Sequence, residues 1–187
     1  YRQVSEAVDI PIFFYNTPGA DPGTMSPVML KKIEKKAPNV EYVKAGSYSL
    51  NQFKETADGL ADSDLKIITG KSYYNFHMLN YAWNRNRPAG LTGYLPGILP
   101  AEHVEMWEAF QEGDVDRARD VWQSKILPLA ELLYGRAFGY NEKLAPMEVL
   151  KQMGVIKNAR IPFSAADIDE YAKKEIGKFI HDVQPDV

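Results

Sequence analysis

The sequence contains no cysteine, and only three of its 187 residues are histidine. The lack of cysteine excludes disulfides, thiolate catalysis and cysteine-based metal sites, and it is compatible with a reducing cytoplasm, where we expect the protein to work. His77, His103 and His181 are far apart in the sequence and do not have the spacing of metal ligands. We therefore expect no metal ion and no other cofactor.

Basic blocks, long apolar runs and nucleotide-binding motifs are also missing. The formal net charge is −3, and no cluster of lysine and arginine marks a nucleic-acid surface. No apolar run approaches the roughly 20 residues that a membrane span needs, and no signal-peptide pattern is present. No glycine-rich phosphate-binding motif opens a helix. These absences favour a small-molecule substrate and argue against nucleic-acid or membrane partners.

The first 112 residues do contain a repeated order of strand and helix. Strands are predicted at residues 10–15, 40–45, 65–69 and 89–93, about 25 to 30 residues apart, each followed by a helical pattern. The first run is nearly continuous in apolar residues, which is typical of a strand buried on both faces. The alternation predicts parallel strands with helical crossovers, hence an α/β barrel or a doubly wound sheet. Without a nucleotide-binding motif the (β/α)8 barrel is favoured, with functional groups at the carboxyl ends of its strands.

Four of the predicted helices begin after a residue that can cap a helix N-terminus. Serine or aspartate precedes four of them and is expected to act as N-cap: Ser26, Ser49, Asp114 and Ser164. After Ser26, the apolar side chains of Met29, Leu30 and Ile33 are expected to face inward. From Asp114 onward only helices are predicted, with Pro128 expected to kink a long helix or to begin a new segment. The chain thus divides into a barrel part, residues 1–112, and a helical domain, residues 113–187.

Lys44 lies near the carboxyl end of the strand predicted at residues 40–45. Burial there would disfavour the charged ammonium form and leave part of the lysine as free amine at neutral pH. A free amine can attack a carbonyl carbon and form a Schiff base. The alternative is a lysine that extends its ammonium group into solvent along the edge of the sheet.

Four segments carry motifs in a fixed order. Residues 12–19 read IFFYNTPG, residues 42–47 read YVKAGS, residues 67–70 read IITG and residues 90–100 read GLTGYLPGILP. The first two resemble the paired Y-N-x-P and I-K-x-x-S strands of the dihydrodipicolinate synthase and N-acetylneuraminate lyase family, the pyruvate-dependent class I aldolases. The other two resemble that family's seventh-strand glycine and its eighth strand with the following loop. The resemblance covers essentially all of the chain.

The resemblance implies an eight-stranded barrel of which this chain carries strands five to eight and the C-terminal helical extension. The family's loop that holds the keto acid's carboxylate would lie in the missing half. Residues 1–8 begin with Tyr1 and have the pattern of the last turns of a helix, so we interpret the chain as cut from a longer protein. Alone, it would have two unpaired strand edges and is not expected to be active.

By the same resemblance, Lys44 would form an imine with pyruvate or a related 2-keto acid, and Tyr15 would relay protons to and from the imine nitrogen and the aldol hydroxyl. A phenol within hydrogen-bond reach provides general acid–base catalysis of about 10² to 10⁴ in rate. Gly70 is predicted to allow a close backbone approach, and Thr92 to line the pocket. The alternative for Tyr15 is a core tyrosine with a satisfied hydroxyl.

One departure from the family bears on the substrate. The dihydrodipicolinate synthase branch has an arginine that takes the semialdehyde's carboxylate, whereas Ala20 and Asp21 occupy that neighbourhood here. A role in lysine biosynthesis is therefore not favoured. We hypothesise that Lys71 contacts the distal part of an acidic or polyhydroxylated substrate, such as a sugar-acid-derived 2-keto acid; the alternative is a solvated lysine at a helix start.

Three functions stay open at this point. The leading one is a pyruvate-dependent lyase of the class I aldolase type. The second is a dehydratase that acts on a 2-keto-3-deoxy sugar acid through the same imine, and the third is a catalytically inactive barrel relative with a role in assembly or sensing. The helical tail and the resemblance predict a homo-oligomer, either a dimer or a tetramer built of dimers.

Overall fold

The computed structural model describes residues 1–17, 24–47, 49–86, 88–134, 143–161 and 167–183. The chain divides into two compact units, Tyr1–Gly93 and Tyr94–Val187. The division predicted after residue 112 places two further helices, Leu95–Ile98 and Pro100–Glu112, with the barrel part and stays a prediction. Across the described ranges, no helix combines the length and the apolar character that a membrane crossing requires.

The first unit alternates helices and strands. In chain order its elements are α1 (Arg2–Ala7), β1 (Ile12–Asn16), α2 (Pro27–Lys36), β2 (Val40–Ala45), α3 (Leu50–Gly59), β3 (Lys66–Thr69), a 3-10 turn (Ser72–Tyr74), α4 (Asn75–Asn86) and β4 (Gly90–Leu91). The strands form one parallel sheet in the order β1-β2-β3-β4. The predicted parallel sheet with helical crossovers is confirmed. The predicted fourth strand, however, is shortened to two residues.

The two faces of the sheet differ. The face that packs against helices is closed by apolar side chains, including Phe14, Val43 and Ile67 from the strands, and Leu30 and Phe53 from α2 and α3. On the opposite face of β1, Phe13 and Tyr15 are 46% and 47% exposed. The prediction that β1 is buried on both faces is therefore wrong for the structure as described. Its apolar composition is continuous, but helices cover only one face.

The capping predictions can be checked at three of four sites. The Ser26 hydroxyl accepts a hydrogen bond from Met29 N at 3.4 Å, and the Ser49 hydroxyl accepts one from Gln52 N at 3.2 Å. The Asp114 carboxylate accepts one from Arg117 N at 3.0 Å. These three caps are confirmed, whereas Ser164 lies outside the described residues.

One inward-facing residue was assigned wrongly. In α2, Leu30 is buried and Ile33 is half-buried, but Met29 is 45% exposed. Met29 lies in the first turn of the helix, where it precedes Leu30 by one position. Adjacent helical residues are rotated by about 100° from each other, and here the helix turns Leu30 into the core and leaves Met29 at its margin.

The second unit is helical in its described parts. Its elements are α5 (Leu95–Ile98), α6 (Pro100–Glu112), α7 (Val115–Val121), a π-helical segment (Trp122–Ile126), α8 (Leu127–Tyr134), α9 (Leu144–Gln152) and α10 (Glu170–Val183). Pro128 lies in the first turn of α8, directly after the π-helical segment. Since proline has no N–H to donate within a helix, a change of helix geometry next to it agrees with the predicted new segment.

Candidate active site

Tyr15 and Lys44 lie near the carboxyl ends of neighbouring strands. They are direct partners in the register of β1 and β2, so their side chains leave the same face of the sheet side by side. Lys44 Nζ lies 4.1 Å from the centroid of the Tyr15 ring. The structure thus brings together the two side chains that the sequence singled out. Their catalytic roles stay a prediction.

Lys44 is half-buried, not enclosed. Its nitrogen lies over the face of the aromatic ring, where the negative face of the ring attracts a cation. The Tyr15 ring is 47% exposed, and the site therefore opens on the uncovered face of the sheet. A carbonyl compound approaching from that side would reach the amine and the phenol together.

Gly46 follows β2 and lies against the edge of the Tyr15 ring. A Cβ at Gly46 would lie 2.6 Å from Tyr15 Cε2 and 3.1 Å from the Asn16 carbonyl oxygen. Gly46 N also donates a hydrogen bond to this oxygen, at 2.9 Å. In the sequence, Gly46 stands out only as one letter of the motif at residues 42–47, because a contact with a residue on another strand leaves no local pattern.

Gly70 ends β3 and packs against β2. A Cβ there would lie 2.7 Å from the Ala45 carbonyl oxygen and 3.0 Å from Lys44 Cγ. The close approach that the sequence predicted for Gly70 is therefore made by the neighbouring strand and by the stem of Lys44. A substrate contact at Gly70 stays a prediction.

Asn16 is almost fully buried, with 3% of its surface exposed. Its role was not predicted from the sequence. Its Nδ2 donates to the Met25 carbonyl oxygen at 3.1 Å, and Met25 N donates to its Oδ1 at 2.8 Å. These two bonds tie the end of β1 to the residues just before α2. Asn16 thereby fixes the backbone position next to Tyr15.

A buried polar network joins the ends of β3 and β4. Thr69 Oγ1 donates to Asn75 Oδ1 at 2.9 Å, and Asn75 Nδ2 donates to the Thr92 carbonyl oxygen at 3.2 Å. The Thr69 carbonyl oxygen accepts bonds from Thr92 N at 2.9 Å and from Thr92 Oγ1 at 3.0 Å. Thr92 was predicted to line the pocket. In the structure its hydroxyl donates to the Thr69 carbonyl oxygen and so links the ends of β3 and β4. A substrate contact by Thr92 stays a prediction.

Lys71 follows Gly70 and precedes the 3-10 turn at Ser72. It is half-buried, and its extended backbone places it at the same end of the sheet as Gly70. The turn is packed tightly against Gly93, two residues after β4, where a Cβ would overlap Ser72 Oγ. Gly93 also has φ +143°, a conformation that favours glycine. The predicted substrate contact of Lys71 stays a prediction.

The three histidines lie on helices and not on the strands that carry Tyr15 and Lys44. His77 lies on α4 and His103 in the second unit, on α6, where burial lowers the pKa of each imidazole. His103 Nδ1 lies 2.7 Å from the Leu99 carbonyl oxygen. Among the residues that the structure describes, no three histidine, aspartate or glutamate side chains are arranged to hold a metal ion.

Comparison with known proteins gives related sequences. The family model described as "Dihydrodipicolinate synthetase family" matches residues 1–182. A curated relative from Corynebacterium aurimucosum, named 4-hydroxy-tetrahydrodipicolinate synthase, is 28% identical over 172 residues, which cover 91% of this chain and 52% of the relative. A relative of the same name from Endomicrobium trichonymphae is 27% identical over 134 residues, covering 72% and 43%. The chain spans about half the length of the curated relatives it matches.

Solved structures agree on the fold. The dihydrodipicolinate synthase of Thermotoga maritima superposes with a TM-score of 0.82 at 20% identity, over 98% of this chain and 59% of that one. A prophage protein of the dihydrodipicolinic acid synthase family from E. coli K12, solved in complex with pyruvate, gives 0.79 at 18% identity, over 97% and 59%. The predicted α/β fold is confirmed as the fold of these proteins. Since the family model matches all but the last five residues, the chain belongs to the dihydrodipicolinate synthetase family.

Proposed function

We propose that this chain carries the imine-forming residues of a pyruvate-dependent lyase of the class I aldolase type. One observation carries the proposal: Lys44 Nζ lies 4.1 Å from the Tyr15 ring centroid, at the carboxyl ends of two paired parallel strands. In α/β barrels, this end of the strands is where active sites lie. Family membership gives the reaction class, and the pair of side chains supplies the chemistry.

In the proposed reaction, the Lys44 amine attacks the keto carbon of the substrate and forms a carbinolamine. Loss of water, which takes the carbinolamine oxygen and needs a proton, gives the imine. The protonated imine draws electrons from the neighbouring carbon, so the next carbon–carbon bond can break to an enamine and an aldehyde. In this proposal the Tyr15 phenol donates and accepts the protons of these steps.

We propose that the chain corresponds to strands five to eight of the barrel, followed by the helical domain at residues 113–187. The exposed side chains of Phe13 and Tyr15 support this, because the interior of a barrel is normally filled by inward-facing side chains. The remaining strands of a complete barrel would then cover this face. They would also supply the group that binds the substrate's carboxylate.

We propose pyruvate or a related 2-keto acid as the substrate that forms the imine. Two of the similar solved structures are described as complexes with pyruvate. For the second substrate we retain a sugar-acid-derived compound, because Ala20 and Asp21 stand where the synthase branch has its arginine; both residues lie outside the described part. The curated relatives carry the name of the synthase, so this assignment depends on Ala20, Asp21 and Lys71 alone.

The remaining parts of the proposal concern assembly and location. We propose a homo-oligomer in the cytoplasm, on the basis of the family and of the absence of cysteine. One of the similar solved structures is described as a monomeric variant of dihydrodipicolinate synthase, so assembly varies among the relatives. Size-exclusion chromatography with light scattering on the purified protein decides between monomer, dimer and tetramer.

Borohydride reduction in the presence of pyruvate tests the lyase function. Borohydride converts an imine to a stable amine, so we expect a pyruvate-derived mass increase on the peptide that contains Lys44. Lys44→Met should abolish this adduct, whereas Lys66→Met, which removes an exposed lysine from neighbouring β3, should leave it unchanged. The experiment uses a protein that carries all eight strands, because this chain alone is not expected to be active. An adduct that is absent from that protein, or spread over many lysines, would leave only the catalytically inactive relative.

A further inference from the structure

We infer that Asn16 is a positioning residue for Tyr15, and that the donor and the acceptor of its side-chain amide are both needed to hold the phenol beside Lys44. The inference rests on the proposed function of this pair. It starts from the side of the sheet that the helices cover. Since only 3% of Asn16 is exposed, strands that complete a barrel would add little to its surroundings.

The Asn16 amide lies in an apolar layer. Side chains alternate between the two faces of a strand, and Asn16 follows the core residue Phe14 by two positions, so both lie on the face that packs against helices. A buried amide without partners would be costly. Asn16 Nδ2 donates to the Met25 carbonyl oxygen at 3.1 Å, and Met25 N donates to Asn16 Oδ1 at 2.8 Å. Both ends of the amide are thus bonded to one residue, two positions before α2.

The backbone of Asn16 is bonded to β2. Gly46 N donates to the Asn16 carbonyl oxygen at 2.9 Å. One position earlier, Tyr15 is the register partner of Lys44. Asn16 therefore joins the end of β1 both to the end of β2 and to the residues before α2. Because Tyr15 precedes it directly, a shift of the Asn16 backbone moves the Tyr15 ring relative to Lys44 Nζ, which lies 4.1 Å from the ring centroid.

Asn16→Asp is the sharpest variant, because it keeps the shape and the acceptor but removes the donor. An ionised carboxylate can only accept, so one of its oxygens would face the Met25 carbonyl oxygen without a proton between them. This repulsion should displace the end of β1. We expect pyruvate-dependent borohydride labelling at Lys44 to slow by about 10-fold to 100-fold, the size of effect that a misplacement of about 1 Å produces.

The pH dependence of Asn16→Asp gives a readout that a general loss of packing would not. A protonated carboxyl group has a donor and an acceptor again, as the amide does, and burial raises the pKa of a carboxyl group. The labelling rate of the variant, divided by that of the wild type at the same pH, should therefore rise as the pH is lowered. A ratio that stays constant or falls would contradict the inference.

Asn39→Asp is the matched control at the other end of the strands. Asn39 lies just before β2, and its Nδ2 donates to the carbonyl oxygens of Ser5, at 3.1 Å, and Val8. The variant loses amide donors to backbone carbonyls, as Asn16→Asp does, but at the amino end of β2. At a temperature where thermal unfolding shows both variants folded, Asn39→Asp should label as fast as the wild type. Equal slowing by the two variants would show a general structural effect and overturn the inference.

Tyr15→Phe tests whether Asn16 acts through the phenol. In the Tyr15→Phe background, Asn16→Asp should change the labelling rate by less than about threefold, since coupled residues are not additive. An equal loss in both backgrounds would overturn the inference. All labelling uses the protein that carries all eight strands. If the wild type of that protein forms no adduct, the proposed lyase is contradicted instead.

Amide hydrogen exchange tests the inference without catalysis. The Gly46 N–H donates to the Asn16 carbonyl oxygen, so its protection from exchange reports whether the end of β1 stays in place. We expect Asn16→Asp to lower this protection at neutral pH, and Asn39→Asp to leave it unchanged. Wild-type protection of Gly46 in Asn16→Asp would show that the backbone does not move. The inference would then fail whether or not the protein forms an imine.

Discussion

The two halves of the small sheet end in different ways. At the ends of β1 and β2, Tyr15 and Lys44 lie half-exposed against each other on the uncovered face. At the ends of β3 and β4, Thr69 and Asn75 are fully buried and hydrogen-bonded, and they bind the end of β4 to the start of α4. The first end presents reactive groups, and the second fixes the backbone beside them.

This difference would separate the proposed catalysis from stability. Side chains that must meet a substrate cannot use all of their polar groups within the protein, so they add little to stability. A buried network has the opposite property, because each lost partner leaves a polar group without water or hydrogen bond. Variants at the first end should change reactivity and not unfolding, and variants at the second end should do the reverse.

The largest effect is expected for Tyr15→Phe. Removing the phenol hydroxyl should slow adduct formation at Lys44 by about 10² to 10⁴, the usual contribution of a general acid–base group. The unfolding midpoint in urea should hardly change, because the ring remains and is half-exposed. Tyr42→Phe, two residues before Lys44 on the same strand, is the matched control and should label normally. A clear loss of stability in Tyr15→Phe would erase the contrast between the two ends.

Asn75→Ala should give the largest loss of stability. It leaves the Thr69 hydroxyl and the Thr92 carbonyl oxygen without their partner, and unsatisfied buried groups cost about 1 to 3 kcal/mol each. We expect a decrease of about 3 kcal/mol in the free energy of unfolding, measured by urea titration. Asn80→Ala, on the exposed side of the same helix, should stay within about 0.5 kcal/mol of wild type. A loss below about 1 kcal/mol for Asn75→Ala would show that the network does not hold the strand ends.

The sequence could predict what depends on neighbours along the chain. The caps at Ser26, Ser49 and Asp114 join residues three positions apart, and the strands at Tyr15 and Lys44 follow from short apolar runs. Asn75 could not be found in this way, because one partner, Thr69, ends β3 and the other, Thr92, follows β4. Its role depends on a register that exists only in the folded sheet.

The same limit explains the errors. The apolar run of β1 predicts burial but not which face the helices cover, so the strand was expected to be buried also on the face where Phe13 is exposed. Glycines are the extreme case, since Gly46 and Gly70 differ only in what lies where their side chain would be: a ring edge for one, a backbone carbonyl for the other. The sequence shows two glycines after two strands and nothing of that difference.

Gly70→Ala sharpens the comparison because it should affect stability more than Gly46→Ala does. Its Cβ would lie 2.7 Å from the Ala45 carbonyl oxygen, which belongs to the β2 backbone and cannot rotate away. Overpacking of this kind costs about 1 to 3 kcal/mol, and we expect about 2 kcal/mol by urea titration. Gly90→Ala serves as control, because a Cβ at Gly90 meets nothing within 4 Å. Equal unfolding midpoints for Gly46→Ala and Gly70→Ala would contradict the distinction between a mobile and a fixed neighbour.

Thr92→Val should give the smallest effect of the series. The substitution removes the bond from Thr92 Oγ1 to the Thr69 carbonyl oxygen, but Thr92 N still donates to that oxygen at 2.9 Å. No group is left without a partner, so the loss should be that of one ordinary hydrogen bond, about 0.5 to 1 kcal/mol. Thr69→Val deprives Asn75 Oδ1 of its donor and should cost more. If both variants lose the same free energy of unfolding, the stabilisation comes from packing of the two threonines and not from the satisfied network.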